Sequence, residues 1–289
     1  MDISVKDTKN QSFYSELKQI GFDGVDVSFP TWDQRDFILS ENFEDTIMDR
    51  YKQMTDEGLR VCQTHLTYYP GHIPPLGDGS YKSFEEYMLP ILTREIELVP
   101  KMNCKIAVIH LYFEESREGS RAGNLQLIEQ LLPIAEKSNV ILSIENIYGP
   151  NFGEAHLTTA EDLLFYTGHF HSDHLGICLD TGHAVSRRQD PIEMVEKIGA
   201  ALKALHVHSN VPERDLHLPP YFTGKVEWQR FCDTLVEIGY QGSFNMEISA
   251  PTRMNKATAT LYYRMVYGIA DGLLKGEIKS WREESSFGL

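Results

Sequence analysis

The stretch LGICLDTGHAV, residues 175–185, is an apolar run that ends abruptly in a carboxylate and an imidazole. Apolar and small residues alternate along it, which is typical of a strand buried on both faces. Asp180 would lie at the C-terminal end of this strand, Gly182 would let the chain turn, and His183 follows three residues after the aspartate. Such side chains are difficult to explain as core packing, whereas both are common metal ligands.

Other apolar runs also end in residues that can bind metals or move protons. They are His65, His110, Glu145 with Asn146, His206 with His208, and Asn245 with Glu247. Side chains two residues apart lie on the same face of a strand, so in four runs the small and polar side chains share one face. The pairs are Ser143 and Glu145, Cys178 and Asp180, His206 and His208, and Asn245 and Glu247. We expect these groups to point into the interior of the fold.

Each of these residues also has a purely structural interpretation. A single histidine at a strand end, such as His110, is more often a hydrogen-bonded structural group than a ligand. Glu145 in an apolar run is harder to explain in this way, because an unpaired buried glutamate is rare. Burying many ionisable groups together is costly unless something compensates their charge. Taken together, the residues indicate a bound divalent cation.

The elements that must position these residues alternate between strand and helix along the chain. Predicted strands cover residues 2–5, 23–29, 61–66, 105–111, 140–147, 175–180, 202–209 and 242–249. Predicted helices cover 13–20, 43–58, 81–102, 121–138, 159–169, 190–200, 226–238 and 256–273, with a possible break near Pro90. Eight such units predict a single-domain (β/α)8 TIM barrel over residues 1–289, whose strand ends meet at one mouth. The alternative is a doubly wound open sheet, which usually has a glycine-rich first turn that is absent here.

The composition narrows the class of protein. The 289 residues carry a formal net charge of −15, which disfavours broad contact with nucleic acid or anionic lipid. The cysteines are far apart and form no Cys-x-x-Cys pair, which favours reduced core thiols; they are Cys62, Cys104, Cys178 and Cys232. There is no apolar signal core near the N-terminus and no run of about 20 apolar residues. We expect a soluble cytoplasmic protein without a membrane partner.

Seven short motifs together resemble the xylose-isomerase-like TIM barrel superfamily. They are TH at 64–65, VIH at 108–110, SIEN at 143–146, LDTGH at 179–183, HVH at 206–208, DLHLPP at 215–220 and MEIS at 246–249. This superfamily contains sugar and sugar-phosphate isomerases and epimerases, and also apurinic endonucleases of the endonuclease IV type. The motifs are fairly specific for the superfamily but not for one activity.

Similarity to the epimerase branch implies one divalent cation, Mn²⁺, Mg²⁺, Co²⁺ or Zn²⁺, and a small sugar-like substrate. The implied ligands are Glu145, Asp180, His208 and Glu247. In that branch the two glutamates also move protons through an enediolate, which makes them the catalytic acid–base pair. His183 and Arg214 match positions that bind substrate oxygens. The sugar, its phosphorylation, the choice between isomerase and epimerase, and a possible homo-oligomer stay open.

Similarity to the endonuclease branch implies three zinc ions and nine ligands, and this chain has a candidate for each. They are His65, His110, Glu145, Asp180, His183, His208, Asp215, His217 and Glu247. Tyr68 matches a DNA-contacting tyrosine of that branch. However, the seven-residue spacing from His208 to Asp215 is shorter than in that branch, and no Lys or Arg lies between Thr64 and Ser80. The epimerase interpretation is therefore favoured over the endonuclease, and the acid–base pair disfavours a non-catalytic binding protein.

Overall fold

The computed structural model describes residues 1–68, 84–111, 116–148, 157–224 and 226–277. The strands within them are β1 (Ile3–Lys6), β2 (Gly24–Ser28), β3 (Arg60–His65), β4 (Ile106–Ile109), β5 (Ile141–Glu145), β6 (Leu175–Asp180), β7 (Leu202–His206) and β8 (Phe244–Met246). They form one parallel sheet in the order β7-β6-β5-β4-β3-β2-β1-β8. A parallel bridge between Val207 and Met246 joins its two outer strands. The predicted (β/α)8 TIM barrel is therefore confirmed.

The helices surround this barrel. They are α1 (Tyr14–Ile20), α2 (Arg35–Ile38), α3 (Phe43–Asp56), α4 (Phe84–Leu98), α5 (Arg117–Ser138), α6 (Ala160–Phe170), α7 (Thr181–Ser186), α8 (Pro191–Ile198), α9 (Trp228–Glu237) and α10 (Lys256–Lys275). Each predicted helix has a counterpart, although residues 81–83 lie outside the described ranges. Helix α4 continues through Pro90, so the possible break there is not observed. Helix α5 begins four residues early because the Ser116 hydroxyl caps it by accepting the Gly119 N–H at 3.0 Å.

The structure corrects the sequence interpretation of Gly182. We expected this glycine to let the chain turn, but residues 181–186 form the short helix α7, which Asp180 caps by accepting the His183 N–H at 2.6 Å. A Cβ atom on Gly182 would lie 2.0 Å from Cε1 of His208. The glycine is therefore required because the His208 ring packs directly against the α7 backbone.

The two faces of the strands separate as the two-residue spacing predicted. The apolar residues between the polar pairs belong to the main core, between barrel and helices; they are Leu142, Ile144, Ile177, Leu179, Leu205, Val207, Met246 and Ile248. The opposite face carries a small separate cluster of Val108, Cys178 and Ala204. The four cysteine thiols are free, and Cys62 is the one that is not fully buried. No helix in the described ranges is long and apolar enough to cross a membrane.

Candidate metal centre

The predicted site residues lie at the C-terminal ends of the strands, as expected for this barrel. The buried ones are His65, Glu145, Asp180, His183, His208 and Glu247, while His110 and His217 are half-buried. The Asp215 side chain is 29% exposed. β7 and β8 end earlier than predicted, because a single bridge joins them. His208 and Glu247 therefore lie just beyond the regular strands, at the seam of the barrel.

The four residues expected to bind one cation surround the middle of the mouth, and we call them the central cluster: Glu145, Asp180, His208 and Glu247. Nε2 of His208 lies 2.9 Å from Oδ2 of Asp180 and 3.9 Å from Oε2 of Glu247. Glu145 and Asp180 offer ligand atoms within 4.8 Å of each other in a group that also contains His183. Asp180 and Glu247 do so in a group that also contains His206. The barrel thus brings together residues that are up to 102 positions apart in sequence.

A second group lies between β3 and β4. Nε2 of His110 is 2.9 Å from Oε2 of Glu145, and Nε2 of His65 is 3.4 Å from the same oxygen. The two ring nitrogens are 3.2 Å apart. The Tyr68 ring lies beside this pair, 4.9 Å from the His110 ring, and is 42% exposed. Tyr68 therefore lies at the mouth, and its role in contacting a substrate stays a prediction.

A third group lies between α7 and the loop after β7. Asp215 Oδ2 is 3.5 Å from Nε2 of His183 and 3.2 Å from Nε2 of His217. Arg214 is exposed next to this group. Its backbone carbonyl accepts a hydrogen bond from Ser186. The predicted role of Arg214 in binding substrate stays a prediction.

Backbone carbonyls contact one nitrogen in each of three imidazoles at the mouth, and this nitrogen also lies 3.2 Å from Oε1 of Glu145 in His183 and 3.5 Å from Oε2 of Glu247 in His217. Nδ1 of His65 faces the Leu66 carbonyl, that of His183 faces the Asn146 carbonyl, and that of His217 faces the Glu247 carbonyl, each at 2.9 Å. A carbonyl only accepts, so Nδ1 carries the hydrogen in each ring, and Nε2 is the atom available to a ligand. Metal-binding histidines are commonly oriented by such contacts, so this pattern fits metal binding.

Burial and charge also fit a cation. Burial alone raises the pKa of Glu145, but His206 and His110 hold that pKa well below its usual value. Burial likewise raises the pKa of Glu247, which His206 and Lys6 lower well below normal. Burial lowers the pKa of His183, but Asp180, Asp215 and Glu145 raise it well above normal. Carboxylates packed against imidazoles are the donor set that Mn²⁺, Co²⁺ and Zn²⁺ prefer.

The sequence analysis missed three contacts of the candidate site: Lys6 with Glu247, Asp26 with His206, and His206 with the carboxylates. The Lys6 ammonium donates to Oε1 of Glu247 at 2.7 Å. The first strand was predicted to end at residue 5, whereas β1 extends to Lys6. A comparison of all eight strand ends would have identified Lys6, because it is a charged residue at the end of β1. Asp26 is an acidic residue within an apolar strand, which is the same pattern that singled out Glu145.

A large cavity of about 690 Å³ lies at the opposite end of the barrel. It is lined by residues at the strand starts, including Arg60, Lys105 and Lys203, and by none of the predicted site residues. In this fold the N-terminal end contributes to stability, whereas chemistry takes place at the C-terminal end. The candidate active site is therefore the mouth that holds the three groups.

Comparisons with known proteins agree with this fold. The uncharacterized protein y4fM of Sinorhizobium fredii is 24% identical over 187 residues, which cover 62% of this chain and 58% of that protein. The chain thus matches less than two thirds of that relative's length. A structure of D-psicose 3-epimerase in the presence of D-fructose is 15% identical, with a TM-score of 0.72, and the match covers 95% of this chain and 99% of that one.

A xylose isomerase-like TIM barrel protein from Mycobacterium smegmatis, solved in complex with magnesium, is 17% identical with a TM-score of 0.65. That match covers 96% of this chain and 98% of the other. At these identities the two structures show a shared fold. The model of the family described as xylose isomerase-like TIM barrel matches residues 14–264, which is most of the chain. The chain belongs to the xylose isomerase-like TIM barrel family.

Proposed function

We propose that this protein is a divalent-cation-dependent sugar or sugar-phosphate isomerase or epimerase, with Glu145 and Glu247 as its acid–base pair. The observation that carries the proposal is the position of these glutamates. They are buried at the ends of β5 and β8. Asp180 and His208, which follow from β6 and β7, lie between them. Solved structures with this fold include a D-psicose 3-epimerase and an L-ribulose 3-epimerase, which supports the choice of substrate class.

The residues of the central cluster would hold the cation, and they fit one because they combine three carboxylates with an imidazole. When bound, the cation supplies positive charge that stabilises an enediolate. One glutamate removes the proton from the carbon beside the substrate carbonyl; the electrons of that C–H bond form the enediolate double bond, and the carbonyl π electrons move onto the carbonyl oxygen. The other glutamate returns a proton from the opposite face, which inverts the carbon. Burial of both carboxylates keeps bulk water away from the enediolate, while the donor glutamate takes up its proton from solvent between turnovers.

Proton exchange tests this proposal directly. The protein, loaded with Mn²⁺, is incubated in D₂O with ketoses and ketose phosphates, and deuterium at the carbon beside the carbonyl is followed by NMR. We expect exchange and a new epimer or isomer with at least one substrate, and neither after chelation. Absence of exchange across the panel by protein that binds Mn²⁺ would contradict the proposal.

A second candidate is a phosphodiester hydrolase with three cations, such as an apurinic endonuclease. The specific observation in its favour is that all nine candidate ligands gather into three groups, two of which contain imidazoles oriented for ligation. Three cations could align a phosphodiester and activate a hydroxide. The net charge of −15 disfavours this candidate, because DNA binding draws its affinity from basic residues.

Metal stoichiometry and one further assay separate the two candidates. We expect about one tightly bound cation per chain for the epimerase, and about three zinc ions for the hydrolase. Cleavage of a duplex that contains an abasic site is then measured beside ketose turnover. Three zinc ions together with abasic-site cleavage would establish the second candidate instead of the first.

A further inference from the structure

His206 lies on β7 beneath the central cluster, and its side chain is completely buried. Its Nδ1 atom is 3.3 Å from Oε1 of Glu145, 3.5 Å from Oε2 of Glu247 and 3.9 Å from Oδ2 of Asp180. The ring therefore faces three of the four residues that would hold the cation. The sequence pattern placed His206 on the same face as His208 but assigned it no function.

Nδ1 of His206 makes no hydrogen bond, although these three carboxylate oxygens are close. The ring nitrogen therefore points between the oxygens and not at any one of them. Donors that share one cation, with bonds of roughly 2.1 Å and angles near 90–110°, lie roughly 3.0–3.4 Å apart. The contacts to Glu145 and Glu247 are close to this spacing, and that to Asp180 is somewhat longer. An unpaired, fully buried nitrogen among these oxygens is the arrangement that a bound cation would complete.

The opposite side of the ring is held by Asp26. Nε2 of His206 lies 3.2 Å from Oδ2 of Asp26, which also accepts Gln63 Nε2 at 3.0 Å and Asn245 Nδ2 at 3.1 Å. Because Gln63 and Asn245 fix the carboxylate, Asp26 places the Nε2 hydrogen and leaves Nδ1 facing the cluster. Such carboxylate–histidine pairs fix the ring orientation and raise the basicity of metal-binding histidines.

We propose that His206 is a further ligand, through Nδ1, of the cation held by the central cluster, and that Asp26 is its positioning residue. The inference rests on the cation site of the proposed function, but not on the reaction carried out there. It adds a second imidazole to three carboxylates. A second nitrogen donor favours Mn²⁺, Co²⁺ or Zn²⁺ over Mg²⁺, which prefers oxygen ligands.

Metal binding by two variants tests the inference without an activity assay. His206→Asn removes the donor, and Asp26→Asn keeps the shape but weakens the hold on the ring. The control is His174→Asn, because Nδ1 of His174 contacts the Val140 carbonyl at 2.8 Å, away from the mouth. Mn²⁺ affinity is measured by the EPR signal of the free ion. The number of imidazoles around one equivalent of Co²⁺ is measured by X-ray absorption.

We expect His206→Asn to weaken Mn²⁺ binding at least about 100-fold and to lose one imidazole from the Co²⁺ spectrum. Asp26→Asn should weaken binding roughly 10- to 100-fold with the imidazole retained, as for other residues that orient ligands. His174→Asn should change neither quantity. If His206→Asn does not fold by circular dichroism, Asp26→Asn and His206→Gln provide the same comparison.

Unchanged Mn²⁺ affinity and an unchanged imidazole count in folded His206→Asn would overturn the inference, as would a wild-type protein that binds no divalent cation. The proposed function fails separately. A protein that loses Mn²⁺ affinity in His206→Asn, but catalyses no deuterium exchange with any ketose, would retain this ligand and exclude the epimerase.

Discussion

Glu145 connects all three groups at the mouth, because it belongs to the central cluster and its oxygens face histidines of the other two groups. Oε2 lies 2.9 Å from His110 and 3.4 Å from His65, while Oε1 lies 3.2 Å from His183 and 3.3 Å from His206. Those imidazoles keep the side chain a carboxylate despite its burial. Glu145 is thus suited to bind a cation with one oxygen and to accept a proton with the other.

We predict that Glu145→Gln and Glu247→Gln each lower ketose turnover by about 10²- to 10⁴-fold, because each removes a proton-transfer group at nearly constant shape. Turnover is measured by the rate of deuterium incorporation. The control is Glu136→Gln, which changes an exposed glutamate on α5. Near-normal turnover in either site variant, with the fold intact, would exclude that glutamate from the acid–base pair.

Glu95 on α4 is a buried carboxyl group outside the metal-binding groups. Thr67 Oγ1 lies 2.5 Å from Oε1 of Glu95 and 2.6 Å from the Pro30 carbonyl, and the Thr67 N–H donates to Oε2 at 2.9 Å. One hydroxyl hydrogen cannot serve both oxygens, so a protonated Glu95 supplies the second. Burial raises the pKa of Glu95 to about 8, which agrees with a neutral acid.

This pKa predicts how Glu95 affects stability. The folded protein keeps the proton up to a pH of about 8, whereas the unfolded chain releases it near its ordinary value of 4.5. The contribution of Glu95 therefore becomes less favourable as the pH rises between these values, by at most about 1.4 kcal/mol per pH unit. Glu95→Gln keeps both hydrogen bonds without a titrating group, so we expect it to stabilise the protein at pH 8 more than at pH 5.

The measurement is the urea midpoint of wild type and variant at both pH values. Glu97→Gln, an exposed change on the same helix, is the control and should show no such difference. An equal effect of Glu95→Gln at pH 5 and pH 8 would show that Glu95 is already ionised in the folded protein.

At the scale of elements, α7 links the end of β6 to the seam between β7 and β8. Asp180 caps α7 with Oδ1 and faces His208 with Oδ2, so one carboxylate both begins the helix and lines the central cluster. The Thr181 hydroxyl contacts the His208 carbonyl at 2.8 Å, which ties the same helix to the chain beyond β7. The orientation of His208 therefore depends on close packing against α7.

We predict that Gly182→Ala displaces the His208 ring and weakens Mn²⁺ binding by at least about 10-fold, because the new Cβ would lie 2.0 Å from that ring. Mn²⁺ affinity is again measured by EPR. Gly168→Ala on α6 is the matched control, since a Cβ there meets nothing within 4 Å. Equal Mn²⁺ affinity in the two variants would show that His208 can move without cost, or that it is not a ligand.

At the scale of the whole molecule, the candidate ligands come from strands whose ends meet only when the barrel closes. Those of the central cluster come from β5, β6 and the segments after β7 and β8, and a single bridge joins these last two strands. A cation held by all four would therefore strengthen the seam. Binding to the folded state alone adds about 2.7 kcal/mol when the free cation is at 100 times its Kd.

We predict that saturating Mn²⁺ raises the Tm by about 5 °C relative to protein in chelator, because of this added stability. The measurement is a thermal melt followed by circular dichroism. Asp180→Asn should lose most of the shift, whereas His174→Asn should keep it. A full shift in Asp180→Asn would place the stabilising cation outside the central cluster.

Much of the fold and part of the site could be predicted from local patterns. Alternating apolar residues identify strands, helical spacing and caps identify helices, and the order of the elements indicates the barrel. The two-residue spacing also predicted which side chains point inward, and the core confirms it. The predicted role of Gly182 was wrong. A glycine is needed there because His208, a residue 26 positions away, packs against it, and no local pattern shows that contact.

The sequence by itself determined the strand–helix order and the set of polar residues at the strand ends, since both follow from periodicity along the chain. Only the tertiary structure decided how those residues divide into three groups, and that Lys6, Asp26 and His206 join them. The contact of Lys6 with Glu247 spans 241 residues, and that of Asp26 with His206 spans 180. Closure of the barrel and side-chain rotamers create such contacts, and no local pattern contains either.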